Sequence, residues 1–190
     1  MHAVNYKKGK QVIFDNIDIS IPIEREINGV KVPLAAVIRN TNLKTITEIH
    51  REIQTFKQQN IKTEQDYVLG EKKQNTLNQL FFNIPQWIRL IVWKNILKNP
   101  STIKKNMGTV MVTNVGMAGN ISGWIIPKSI HNLSIGIGSI CKKPWIYNKS
   151  IAIREIMNLT ILFDHDVVDG LPAAKFTAKL VKNIEKAIEL

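Results

Sequence analysis

Cysteine is almost missing from this chain, with Cys141 alone among 190 residues. An intramolecular disulfide is therefore impossible, and zinc sites built on paired CxxC cysteines are excluded. The same scarcity favours a reducing, cytoplasmic setting. No run of about 18 or more uncharged apolar residues occurs, which argues against a membrane-spanning helix. The opening stretch, Met1 to Lys10, is polar and basic and lacks the apolar core of a signal peptide. Acidic residues are also in short supply: 15 Asp+Glu face 26 Lys+Arg, a net charge of +11. That surplus suits anionic partners, whether nucleic acid, a phosphorylated cofactor or an acidic membrane surface. Yet the denser basic spots (Lys7, Lys8, Lys10; Lys72, Lys73; Lys104, Lys105; Lys142, Lys143) are short and lack interleaved aromatics. They give no nucleic-acid motif and read as a solvated, lysine-rich surface.

What is present describes one ordinary globular domain. Apolar residues make up 44% and charged residues 22%, enough to bury a core without staples. Residues 11–23 are rich in Ile and Val and read as a strand. Glu24 to Gly29 reads as a polar break with a turn at Asn28-Gly29, and Val30 to Arg39 as a second strand, giving a hairpin or tight loop. Thr45-Ile46-Thr47-Glu48 has the form of a capping box, followed by Ile49, Ile53 and Phe56 at helical spacing. Residues 64–100 read as an atypical helical insert, interrupted at Pro85 and closed by Pro100. Its tryptophans, Trp87 and Trp93, flank Arg89 and Lys94. The stripe reads as core or oligomer interface in preference to a peripheral membrane helix. From Gly108 the pattern turns to strand: Thr109 to Thr113, Leu133 to Ile140, and two segments within Ile151 to Phe163. Pro172 then opens a terminal helix with Ala173, Phe176, Leu180, Ile184 and Ile188 on one face. The mixture, without regular βαβ alternation, predicts an α+β fold.

The segment richest in chemistry is Phe163-Asp164-His165-Asp166-Val167-Val168-Asp169-Gly170. It puts a histidine between an apolar strand and a helix start, where rigid elements fix a reactive group. Histidine titrates near neutrality, so it can take a proton from a thiol and return it. Asp169 follows four residues on, and Gly170 allows a sharp turn. His-x-x-x-Asp-Gly alone is a weak pattern, equally readable as a loop histidine pairing with local carboxylates.

Further blocks make it specific. LFDHDVVDGLPAAKF resembles the Asp-His-Arg-x-x-Asp-Gly signature of the dihydrolipoyl acyltransferase catalytic domain of 2-oxoacid dehydrogenase complexes, whose His-x-x-x-Asp-Gly core chloramphenicol acetyltransferase shares. GTVMVTNVGMAG resembles that family's Gly-Thr-x-x-x-(Ser/Thr)-Asn-x-Gly segment. VKVPLAAVIRNTNLKTITEIHREI and LSIGIGSICKKPW resemble two more of its blocks. The order and rough spacing agree over residues 10–57 and 108–188.

The resemblance implies a two-layer, mixed-sheet sandwich of the CoA-dependent acyltransferase (chloramphenicol acetyltransferase-like) type. It also implies movement of an acyl group between CoA and a thiol such as dihydrolipoamide, or another acceptor. His165 would act as general base. Thr113 would supply a hydroxyl to the tetrahedral oxyanion, a role worth a few kcal/mol. Asp169 would hold the loop through polar contacts, and Asn114 reads as a turn former. In the family the active site lies between subunits of a trimer, so His165 and Thr113 would come from different chains of a homotrimer or higher assembly. No metal is implied, and the chain carries no lipoyl-type domain. The sequence departs from the family in three ways. Asp166 stands where the family has Arg. The insert at 64–100 is longer than the family's. The chain also starts after the family's first helix and the arginine that pairs with the motif's Asp; Arg25, Arg39, Arg51 and Arg154 do not match that position. The expectation is a single domain over 1–190, truncated at its N-terminus or completed by a partner chain. The competing expectation is a non-catalytic trimeric scaffold or regulatory relative that kept the fold.

Overall fold

The computed structural model describes residues 4–6, 10–27, 29–58, 85–96, 98–116, 119 and 123–187. Strands β1 (Val4–Tyr6) and β2 (Lys10–Val12) form a small antiparallel ribbon. The main sheet contains β3 (Ile19–Ile27), β4 (Val30–Ile38), β5 (Val110–Asn114), β6 (Leu133–Tyr147) and β7 (Ser150–Phe163), in the order β4-β3-β5-β6-β7. The two outer pairs are antiparallel, while β3–β5 and β5–β6 are parallel. Helices α1 (Ile46–Gln58), α2 (Gln86–Ile96), α3 (Pro100–Met107) and α4 (Gly170–Glu185) complete the described chain. The α+β, mixed-sheet expectation holds.

Period-two alternation gives the sheet two unlike faces. Ile19, Ile38, Val110, Leu133 and Phe163 belong to one face; Ile38, Val110 and Leu133 are buried there. Helix α4 packs on this side, with Phe176 edge-on to Phe163 at 5.9 Å between ring centroids. The other face carries a mixed row of partners, Val37, Ser20, Met111, Ser134 and Leu162, and beside it a small-residue row, Thr113, Gly136 and Thr160. A Cβ on Gly136 would lie 2.9 Å from Ile125 Cγ1 and 3.2 Å from Pro127 Cδ, so the 123–131 loop crosses this second face directly above the glycine.

The β3–β4 hairpin forms as expected, with Gly29 at φ +79 in its turn. Asn28 lies outside the described residues. The expected polar break at Glu24 to Gly29 is instead paired strand as far as Ile27. The hairpin end is exposed, so Glu24 can face solvent and bridge to Lys31 at 2.9 Å while the ladder continues. The strand expected over 11–23 is two strands. A bend at Asp15-Asn16 separates them and turns Asp18 inward, where its carbonyl accepts from the amides of Thr109 (2.7 Å) and Val110 (3.1 Å). The capping box forms: the Glu48 amide donates to Thr45 Oγ1 at 3.3 Å, and Glu48 Oε2 accepts from the Thr45 amide at 2.7 Å.

Of the expected insert at 64–100, residues 64–84 and 97 lie outside the described residues. Pro100 does not close a helix; it opens α3. Asn99 is the N-cap, accepting from Ser101 N (3.1 Å) and Thr102 N (3.4 Å), and a first-turn proline forfeits no helical hydrogen bond. Gly108 stops α3 at φ 78, with Asp18's carbonyl oxygen 2.8 Å from where a Cβ would stand. The segments expected within 151–163 are one continuous strand, registered against β6 with a single irregularity between Ile137 and Ile140. Helix α4 begins at Gly170, two residues ahead of Pro172, which still falls in the first turn.

Candidate functional site

His165 sits on a turn fixed from several sides. The Asp164 amide donates to the Asn132 carbonyl at 2.9 Å, which ties the end of β7 to the start of β6. The Asp164 carbonyl accepts from Val167 N (3.1 Å) and Val168 N (3.0 Å), and its Oδ1 accepts from Asp166 N at 3.0 Å. Val168 is buried beneath the turn. From β2, Gln11 Nε2 donates to the Asp166 carbonyl at 3.0 Å. The backbone is thus held by its neighbours while the His165 side chain faces solvent.

The motif's other members differ from expectation. Asp169 occupies the N-cap position of α4, but its carboxylate makes no capping hydrogen bond. Its charge lies at the positive end of the helix dipole, and that is what it offers locally. The expected sharp turn at Gly170 is absent. This residue is the first of the helix, and a Cβ there would meet nothing within 4 Å, so neither backbone nor space requires glycine.

Thr113 lies half-buried on β5, between Met111 and the turn. Asn114 is the turn former expected: its Oδ1 accepts from Gly116 N at 2.8 Å, and the next amide, Val115 N, donates to Ile137 O at 3.1 Å. Thr113 pairs with Gly136, which pairs with Thr160. The row holds a buried polar atom, Thr160 Oγ1, that has no hydrogen-bond partner among the described residues. Within one chain Thr113 and His165 are not brought together. Thr113 is two strands from β7, and its row meets β7 at Thr160, three residues before the strand ends. Those steps amount to roughly 10 Å across the strands and roughly 10 Å along them.

A cleft of about 380 Å³ opens on the same face, next to Asp164. Ser134 and Leu162 line it from the sheet, and Lys128, Ser129 and His131 line it from the crossing loop. Sequence reasoning missed these loop residues; the available signal was a Ser-x-His pair in the stretch that Pro127 opens, Pro127-Lys128-Ser129-Ile130-His131. His131 Nε2 lies 2.7 Å from the Met107 carbonyl. A carbonyl only accepts, so Nε2 carries the proton and Nδ1 is the acceptor. Ser129 Oγ contacts that Nδ1 and also accepts from His131 N at 3.2 Å. Burial pushes the imidazole below its ordinary range, partly offset by the Met107 hydrogen bond. Among the described residues, no cluster of three or more His, Cys, Asp or Glu could hold a metal.

Helix α2 exposes Trp87, Leu90 and Ile91, but no helix of the described residues is long and apolar enough to cross a membrane.

Comparison with known proteins accords with this geometry. A family model described as 2-oxoacid dehydrogenases acyltransferase (catalytic domain) matches residues 97–190, which include Thr113, the cleft loop, His165 and Asp169. The dihydrolipoyllysine-residue acetyltransferase component of the pyruvate dehydrogenase complex of Rickettsia prowazekii is 25% identical over 175 residues, 92% of this chain and 33% of that protein. The corresponding protein of Rickettsia conorii is 27% identical over 177 residues, again 92% and 33%. The chain therefore spans about a third of the length of these curated relatives. Among solved structures, a probable dihydrolipoamide acetyltransferase from Listeria monocytogenes superposes with a TM-score of 0.62 at 24% identity, covering 97% of this chain and 62% of that one. The cubic core of the pyruvate dehydrogenase multienzyme complex gives 0.60 at 18% identity, with 100% and 63% covered. With its five-stranded mixed sheet and the match from α3 to the C-terminus, the chain carries, over residues 97–190, sequence of the catalytic domain of the 2-oxoacid dehydrogenase acyltransferases.

Proposed function

We propose that this chain transfers an acyl group between CoA and a thiol acceptor of the dihydrolipoyl kind, with His165 as general base. The observation that carries the reading is the turn at 164–168, a backbone fixed by Asn132, Gln11 and buried Val168 that presents the exposed His165 imidazole to solvent. In the reaction His165 takes the proton of the attacking thiol. The thiolate adds to the thioester carbonyl, and the proton is returned to the departing thiolate. Thr113 supplies a hydroxyl to the oxyanion. Because Thr113 and His165 lie far apart in one chain, a second copy must bring Thr113 to His165, and the working unit is a homotrimer or a larger assembly of trimers. Exposed Ile140, Trp145, Ile146, Ile151 and Ile153 on the β6–β7 hairpin offer apolar surface for that association. The excess of basic side chains suits the phosphates of CoA.

A non-catalytic, trimeric relative is the second reading. It is favoured by the Asp169 carboxylate, which makes no capping bond, and by Asp166, a negative side chain beside the proposed base.

Thermal unfolding with CoA and acetyl-CoA, paired with an assay of acetyl transfer to dihydrolipoamide, tests the choice. A ligand at 100 times its Kd stabilises by about 2.7 kcal/mol. Stabilisation of both wild type and His165→Ala, with transfer only in wild type, supports the enzyme. A folded protein that neither binds CoA nor transfers acetyl groups supports the scaffold.

A further inference from the structure

The Ser129–His131 pair has no part in acyl transfer by His165, yet its hydrogen bonds are those of an activated nucleophile. Met107's carbonyl holds the Nε2 proton at 2.7 Å, which fixes the tautomer and leaves the Nδ1 lone pair toward Ser129 Oγ. The hydroxyl accepts from His131 N at 3.2 Å, so its own proton is directed to Nδ1. A nucleophile, a base and a group that orients the base are therefore lined up as serine catalysis requires. The pair opens onto the cleft of about 380 Å³, room for a small acyl group, with the Lys128 cation on the same wall. Local folding alone accounts for the amide-to-Oγ bond as a serine turn. It does not account for the imidazole being anchored at its far nitrogen by a carbonyl from the end of another element, α3.

We propose that Ser129, with His131 as its base, is a second reactive centre that takes an acyl group from small thioesters or activated esters and releases it to water. Ser129 Oγ bonds to the acyl carbon as its proton moves to His131 Nδ1. The carbon–sulfur or carbon–oxygen bond of the donor breaks, and the leaving group takes the proton from Nδ1. Water then adds to the acyl-serine with Nδ1 again accepting the proton. The ester bond to Ser129 breaks, the proton returns to Oγ, and a carboxylic acid leaves. Throughout, Met107's carbonyl stabilises the imidazolium that forms. Burial keeps that imidazole neutral to lower pH than an exposed histidine, so the base remains available in mildly acidic solution.

The test uses the whole chain with a fluorophosphonate probe and 4-nitrophenyl acetate, neither of which depends on a CoA site. The expected result is one phosphonyl adduct on the peptide bearing Ser129, lost in Ser129→Ala, with ester hydrolysis falling about 100-fold in His131→Gln. The wild-type labelling rate should persist below the ordinary imidazole range before it declines with acid. An adduct that survives Ser129→Ala, maps to Thr113 or is abolished by His165→Ala overturns the proposal, as does a folded wild type that takes no probe. Should Ser129→Ala not fold, Ser129→Cys supplies the reading. Its new thiol should alkylate several-fold faster than the same thiol in the Ser129→Cys/His131→Gln double variant, and equal rates overturn the proposal.

Discussion

Arg39 Nη1 and Asp18 Oδ2 meet at 3.1 Å, and the same guanidinium nitrogen reaches the Lys104 carbonyl at 2.8 Å. One arginine thus joins the end of β4, the approach to β3 and the last turn of α3; Nη2 also donates to the Lys105 carbonyl. Asp18 is buried, and its second oxygen accepts from Asn40 N at 2.8 Å. A cation at the C-terminal carbonyls of a helix opposes the helix dipole as well as the carboxylate.

Removing this arginine strands a buried carboxylate and two helix carbonyls. Arg39→Met is expected to cost about 3 kcal/mol, the low end for a broken buried pair because the Arg39 side chain is itself one-third exposed. Arg39→Lys should recover only part, since one ammonium cannot span a fork of three acceptors. Urea unfolding of both variants measures this. A loss below about 1 kcal/mol for Arg39→Met would place the pair among surface bridges of little worth.

Gly136 governs the gap between Thr113 and the crossing loop. A methyl there meets Ile125 Cγ1 at 2.9 Å, Cδ1 at 3.1 Å and Pro127 Cδ at 3.2 Å. The isoleucine tip can swing, but the proline ring cannot, so Gly136→Ala should cost about 1–3 kcal/mol by overpacking. The loop would lift from the Thr113 row, and the proposed acyl transfer should fall more than the proposed affinity for CoA. Unchanged stability and unchanged kcat together would show that the loop does not rest on the glycine.

Acid should find His131. Its folded-state pKa is lowered by burial from the ordinary 6.5. Below 6.5 the unfolded chain takes up a proton that the folded chain does not, so stability falls with pH. The loss continues until the pH passes through the lowered folded value and then stops. Stability from this group is therefore fully present above 6.5 and absent in stronger acid. Denaturant midpoints measured downward from neutral pH should decline more steeply in wild type than in His131→Gln. Parallel slopes would mean that the imidazole is solvated.

Elements whose signals are local were legible in the sequence. The Thr45/Glu48 capping box, the β3–β4 hairpin, the Asn114 turn and the strand-to-helix passage around His165 each rest on a few adjacent residues. The break at 13–18 was not legible, because the chain bends there to bring Asp18 to Thr109, 91 residues away. Pro100 was misread because a proline that closes one helix looks the same as one that opens the next; Asn99 before it was the distinguishing sign. Gly170 was given a turn role that the first residue of a helix does not need. The Ser129–His131 pair escaped because its anchor, the Met107 carbonyl, has no sequence signature at all. The distance between Thr113 and His165 follows from strand order, which residue patterns do not encode.

Gln11 is the outside support of the His165 turn. Its amide nitrogen donates to the Asp166 carbonyl at 3.0 Å from a ribbon that is otherwise separate from the main sheet. Being exposed to competing water, this hydrogen bond contributes about 0.5 kcal/mol or less, so Gln11→Ala should hardly lower the unfolding midpoint. If the bond positions His165, kcat for acyl transfer should fall several-fold with KM for CoA little changed, because the base and not the ligand site has loosened. Gln11→Glu separates positioning from bulk. It has nearly the same shape, but an ionised carboxylate has no proton to offer a carbonyl, so it should be as impaired as alanine or more. Wild-type kcat in Gln11→Glu would mean that the turn is held by Asp164 and Asn132 alone.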